Sequence, residues 1–168
     1  LSRPYGADAR YVLLGGGNTS YKTDDTLYIK PSGTRLATIR PEQFIALDRA
    51  AVRSLFTADV PSEPFEREAA VKHIMAGSVR PLGSGRPSVE APLHEVIEYP
   101  FVFHLHPALV NGMTCAADGA DACRRLFPEA LWVDYCDPGY TLATVVAKRL
   151  QEAAGNGAQP RIIVLQNH

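Results

Sequence analysis

Phe101-Val102-Phe103-His104-Leu105-His106-Pro107 is an apolar run interrupted by two histidines spaced two residues apart. Side chains of an extended strand alternate between faces, so the pattern predicts His104 and His106 on one face and Phe103 and Leu105 on the other. Two imidazoles side by side want a shared partner. A metal ion is one such partner, and an ordinary half-buried histidine pair with its own hydrogen bonds is the other reading; the pair alone leaves both open.

Upstream, Tyr11-Val12-Leu13-Leu14 reads as a short strand entering Gly15-Gly16-Gly17-Asn18-Thr19-Ser20, a glycine-rich backbone turn. Strands at 20–22 and 26–30 flank Thr23-Asp24-Asp25, which has hairpin-turn chemistry, and Pro31-Ser32-Gly33 makes a second turn. Residues 40–56 fit either a helix opened by Pro41 or a buried strand at 44–47. A helix is expected over 66–76, with Ala69, Ala70, His73 and Ile74 on its packed side and Gly77 as its stop. A glycine- and proline-rich loop spans 80–87, and Ser88 is placed to cap a helix running to about residue 98. Downstream, helices over 107–117, 120–127 and 140–153 alternate with strands at 131–133 and 162–165. Interleaved helices and strands without repeats or a linker predict an α/β layout with a helix-covered sheet, one domain over residues 1–168.

Hydrophobic residues make up 46% and charged residues 21% of 168, with formal net charge −1, which fits a soluble globular chain. No apolar run is long enough to span a bilayer, and Leu1-Ser2-Arg3-Pro4 lacks signal-peptide order, so a cytoplasmic location is expected. Balanced charge without a basic block gives no electrostatic reason for nucleic acid or a membrane as partner; a small substrate is the expectation. Cys115, Cys123 and Cys136 lack Cys-x-x-Cys spacing and read as buried thiols. An apolar strand that stops at His168 suggests a piece of something longer.

His168 is the best third partner for the pair, since it stands at the exit of the strand 162–165 beside Gln166 and Asn167. Three imidazoles leave one coordination position open, as in catalytic zinc sites; the alternative is a chain-end histidine in solvent. Glu90, expected in the first turn of the helix capped by Ser88, is the candidate acid, although the helix dipole alone favours a carboxylate there. His94, one turn on, is either a supporting partner or a surface group. His73 is assigned to packing and Lys30 to solvent. The Gly15–Ser20 turn, the Ser32-Gly33-Thr34 turn and the helix start at Ser88 each offer groups for an anion. Gly-x-Gly-x-x-Gly and the P-loop lysine pattern are both missing, so a dinucleotide or nucleoside triphosphate site is not supported. A cupin would want a glutamate a few residues after the pair, and 108–114 has none.

Gly17-Asn18-Thr19-Ser20, Lys30-Pro31-Ser32-Gly33-Thr34, Pro87-Ser88-Val89-Glu90, His104-Leu105-His106 and Leu165-Gln166-Asn167-His168 occur in the order of the class II aldolase/adducin family, which the chain resembles over nearly its whole length. Ser2-Arg3-Pro4-Tyr5-Gly6 and the triple glycine followed by Asn18-Thr19-Ser20-Tyr21-Lys22 are most similar to the aldolase domain of rhamnulose-1-phosphate aldolase/alcohol dehydrogenase-type proteins. The resemblance implies a three-layer α/β/α sandwich with a mixed, mainly antiparallel sheet, and favours a strand at 44–48. It implies zinc or another divalent metal on His104, His106 and His168, Glu90 as catalytic acid/base, and Gly17, Asn18, Ser32, Gly33 and Ser88 at a substrate phosphate. Val89 departs from the pattern, where related aldolases often have a second serine. The chain also stops before the glycine and C-terminal segment that normally follow the last histidine.

The activity implied is metal-assisted cleavage of a ketose 1-phosphate to dihydroxyacetone phosphate and an aldehyde. Epimerases, dehydratases and decarboxylases acting on phosphorylated sugars share the scaffold, and adducin-like interaction modules keep it without the metal histidines. Family members are usually cyclic tetramers, so a homo-oligomer is expected.

Overall fold

The runs on either side of Thr23-Asp24-Asp25 form the expected hairpin. Strand β1 (Asn18–Lys22) pairs antiparallel with β2 (Thr26–Ile29), with Tyr21 opposite Tyr28. The Thr23 amide donates to the Thr26 carbonyl at 2.9 Å, and the Thr23 and Thr26 hydroxyls both donate to Asp25. The computed structural model describes residues 2–168. Helix α1 (Ser2–Ala7) precedes the hairpin. After it come β3 (Ile45–Asp48), α2 (Arg49–Ser54), α3 (Pro64–Ser78), β4 (Val79–Arg80), α4 (Ala91–Val96) and β5 (Phe101–His104). The remainder is α5 (Ala108–Thr114), α6 (Gly119–Leu126), β6 (Leu131–Val133), α7 (Tyr140–Gly155) and β7 (Ile163–Leu165).

The α/β class and the mainly antiparallel pairing hold. The strands divide into an antiparallel five-stranded sheet, ordered β4-β3-β2-β1-β5, and a parallel pair, β6-β7. At the β5 edge of the larger sheet, β1 lies against β5 with Asn18 opposite His104 and Ser20 opposite Val102. Inward residues Leu27, Ile29, Ile45 and Leu47 pack on Val52, Leu55, Met75 and Val79, covering one sheet face with α2 and α3. Each such side chain contributes roughly 1.5–3 kcal/mol on leaving water. The other face carries a partly exposed aromatic row, Tyr28, Tyr21 and Phe101, with ring centroids 6.3 and 4.8 Å apart. A second core joins Leu93 of α4 to Val133 of β6 and to Leu142, Ala143 and Val146 of α7. No helix among the described residues is long and apolar enough to cross a membrane.

Several local expectations change. Tyr11–Leu14 is not a strand: the Tyr11 and Val12 amides both turn back to the Asp8 carbonyl, and Leu13 and Leu14 face solvent. Local turn bonds satisfy this backbone before any neighbouring strand can. The 40–56 segment resolves into both alternatives in succession, a 3₁₀ turn and β3, then α2, which Asp48 caps by accepting from the Ala51 amide at 3.0 Å. Helix α3 runs through Gly77 to Ser78, and its covered side is Val71, Ile74, Met75 and Ser78. That phase follows from packing on the first core, so His73 faces solvent rather than packing. Helix α4 starts at Ala91, three residues after Ser88, which therefore does not cap it. Of the cysteines only Cys123 is buried; Cys115 is exposed and Cys136 intermediate.

Candidate active site

Two chain segments deliver three imidazoles to one place. His104 is the last residue of β5, each residue of which is paired with β1. His106 lies past the strand end, where its amide donates to the Tyr11 carbonyl at 2.9 Å, so a tether to the irregular 8–16 segment fixes it, not strand pleating. His168 follows β7, after Gln166 donates its amide to Val133 and Asn167 turns the chain at φ +48°. The Nε2 atoms of His104 and His106 are 3.1 Å apart, and ring centroids lie 4.8 Å (His104 to His168) and 5.6 Å (His106 to His168) apart. One nitrogen from each ring lies within 4.8 Å of the other two. Three converging imidazole nitrogens suit zinc or a comparable divalent ion and leave a coordination position for substrate. Burial, then the charges of His104 and His168, pushes the His106 pKa down, which favours the neutral form of the ring.

Glu90 stands immediately before α4. Its amide donates to Ser88 Oγ at 3.2 Å, which directs the side chain into the cluster. Glu90 Oε2 is 3.1 Å from His104 Nδ1, and Oε1 is 3.6 Å from His168 Nε2. The first contact is close but lacks hydrogen-bond geometry, leaving His104 Nδ1 buried without a directed partner. Burial pushes the Glu90 carboxyl pKa up, but His104 and His168 outweigh it and hold the group ionised far below the usual carboxylate range.

Asn18, 1% exposed, donates through Nδ2 to Ser88 Oγ at 2.7 Å and approaches Glu90 Oε2 at 3.4 Å. Gly17 cannot be another residue here: φ is +70°, and a Cβ would sit 2.9 Å from the His104 carbonyl oxygen. The Ser32 amide donates to the Arg86 carbonyl at 3.3 Å, tying the Pro31–Thr34 turn to the loop that carries Ser88. Gly33, at φ +82°, has open space around it. Gly17, Asn18, Ser88, Glu90, His104, His106 and His168 are thus linked by direct contacts, whereas Ser32 is tied to the Ser88 loop only through Arg86 and Gly33 touches none of them. Beside the histidines, between β5 and β7, is a cavity of about 270 Å³ lined by Val102, Val110, Phe127 and Val164.

Two charged groups differ from expectation. Lys30 is 4% exposed, not solvated, and donates to the Thr34 carbonyl at 2.8 Å. Burial lowers its pKa, outweighing the Glu90 charge, which acts to raise it. His94 is fully buried rather than a surface group; its one sequence signal was the four-residue spacing from Glu90. Next to it Glu95, buried, binds Arg49 and Arg53, and Lys22 donates to the His94 carbonyl at 2.7 Å. Nothing in the local pattern marked Lys22 or Glu95 as buried.

The chain is 30% identical, over 97% of its own length, to the uncharacterized oxidoreductase YuxG of Bacillus subtilis (strain 168), and spans 24% of that protein. It is similar to the N-terminal class II aldolase domain of a conserved protein from Thermoplasma acidophilum, with TM-score 0.80 and 28% identity over 99% of this chain and 77% of the other. At the level of fold it is also similar to L-fuculose-1-phosphate aldolase from Thermus thermophilus, with TM-score 0.55 and 19% identity over 99% of this chain and 73% of the other. Residues 5–168 match the class II aldolase and adducin N-terminal domain, and the chain belongs to that family.

Proposed function

We propose that this chain is the aldolase domain of a metal-dependent aldehyde-lyase, which cleaves a ketose 1-phosphate to dihydroxyacetone phosphate and an aldehyde. The observation that carries this reading is the Glu90 carboxylate set 3.1 Å from His104 and 3.6 Å from His168 within the three-imidazole cluster. Carbon–carbon cleavage next to a carbonyl needs an electron sink and a proton-transfer group beside it. His104, His106 and His168 would hold zinc or another divalent ion, which when bound supplies Lewis-acid polarisation of the substrate oxygens.

Glu90 takes the proton from the dihydroxyacetone phosphate carbon in condensation and, by reversibility, returns it to that carbon in cleavage. Asn18, Gly17 and Ser88, with the Ser32-Gly33 turn, hold the phosphate through amides and hydroxyls, and buried Lys30 gives that region a positive charge. Val89 is exposed and adds no hydroxyl. Residues 1–168 act as one domain, expected in the cytoplasm as a homo-oligomer, a tetramer by family likeness; a monomeric mass by light scattering would count against assembly.

The test is Glu90→Gln, assayed for bound metal and for aldehyde release from a panel of ketose 1-phosphates. Metal should stay at the wild-type level while turnover falls by about 10²–10⁴-fold, the range of a positioned acid–base group. Retained turnover would overturn the role of Glu90. An epimer, or a dehydrated or decarboxylated product, would replace cleavage by another reaction of the same site.

A further inference from the structure

His94 stands outside the three-histidine cluster, yet it is completely buried and close to Glu90. Its Nδ1 lies 2.8 Å from Ser20 Oγ, and its Nε2 is buried without a hydrogen-bond partner. A nitrogen of this ring, a Glu90 carboxylate oxygen and a nitrogen of His104 lie within 4.8 Å of one another. The backbone around the ring is clamped, by Lys22 on the His94 carbonyl and by Arg49 and Arg53 on Glu95. A buried imidazole so fixed is placed, not merely packed.

Burial keeps the ring neutral, so it carries one N–H on either Nδ1 or Nε2. With the proton on Nδ1, Nε2 would be a bare lone pair, buried without a donor in the same group of side chains as the Glu90 carboxylate. With the proton on Nε2, the rotatable Ser20 hydroxyl donates to Nδ1 and the remaining N–H is left free to donate to Glu90. We propose that Ser20 and His94 are a positioning pair: Ser20 fixes the Nε2–H tautomer, and this neutral donor holds the Glu90 carboxylate in place. The proposal rests on the reading of Glu90 as the acid/base. His104 and His168 can donate to Glu90 only through nitrogens that carry protons, whereas the His94 N–H serves the carboxylate whatever the cluster holds.

The first test needs no substrate. Histidine ¹⁵N shifts of the zinc-loaded protein, with His94 assigned by its loss in His94→Gln, should show Nε2–H; an Nδ1–H tautomer would overturn the proposal. The second is kinetic. His94→Gln, which keeps an amide donor near Nε2, should retain kcat within about threefold, whereas His94→Leu should lose about 10–100-fold with KM within about twofold and zinc unchanged. A zinc-bound His94→Leu as fast as wild type, or a His94→Gln as slow as His94→Leu, would overturn it. Should His94→Leu not fold, Ser20→Ala carries the kinetic arm, with about a tenfold loss of kcat expected and unchanged kcat refuting. If the wild-type protein cleaves no ketose phosphate, the proposed function fails, and the tautomer measurement still decides the pairing of Ser20 and His94.

Discussion

Glu95→Ala should cost about 3–5 kcal/mol of stability, because it removes the one carboxylate on which buried positive charge converges. Glu95 is 2% exposed and receives Arg49 Nε at 3.0 Å and Arg53 Nε at 2.7 Å. The two arginines will not respond alike. The Arg49 side chain is 12% exposed and keeps only carbonyl partners on Thr23 and Asp24, so its charge loses its counter-ion, whereas that of Arg53 is 57% exposed and returns to water. Most of the loss therefore comes from Arg49, with roughly 1 kcal/mol or less from Arg53. Glu95→Gln keeps the acceptor without the charge and should fall between alanine and wild type. The double variant Glu95→Leu/Arg49→Leu removes the stranded charge and should recover most of the loss. Urea unfolding followed by far-UV circular dichroism reads all four proteins. A Glu95→Ala loss under about 1 kcal/mol at unchanged m-value, or a double variant no better than the alanine, would refute this account of the cluster.

Lys22, 5% exposed and pulled by burial down to about 8, predicts a pH dependence with a definite sign. The unfolded chain keeps that proton to higher pH than the folded one, so stability rises as pH climbs from about 8 towards the ordinary lysine value. With partial water access discounted, the gain is about 1–2 kcal/mol between pH 7 and the ordinary lysine range, and it should vanish in Lys22→Met; parallel urea curves at pH 7 and at high pH would contradict it. Gly17→Ala should cost about 2–3 kcal/mol, part from the left-handed backbone and part from the clash with the His104 carbonyl. Because that clash displaces a residue of the histidine cluster, bound zinc should fall as well; a stable, fully loaded variant would count against the close approach of Gly17 to His104.

Local pattern was a good guide where one segment's own periodicity or turn chemistry sets the answer. The hairpin over 18–29, the helix at 140–155 and the strands bearing His104 and preceding His168 all follow from it. It misled where a backbone satisfies itself in more than one way. Tyr11–Leu14 has strand-like residues, but turn bonds to Asp8 take its amides and the Tyr11 carbonyl goes to His106. It also missed buried charge, because Lys22, Lys30 and Glu95 look like any surface residue until another segment covers them.

The residue types of the site were fixed in the chain: two histidines beside a strand, a third after another strand, an acid following a loop, and glycines where φ must be positive. What no local reading could supply is which of these meet. The register of β1 against β5 sets Asn18 opposite His104, and α4 brings His94 onto Ser20 from 74 residues away. Side-chain periodicity encodes the face of one element; the pairing of faces depends on long-range packing and on the desolvation of charges, which exist only once the chain has folded.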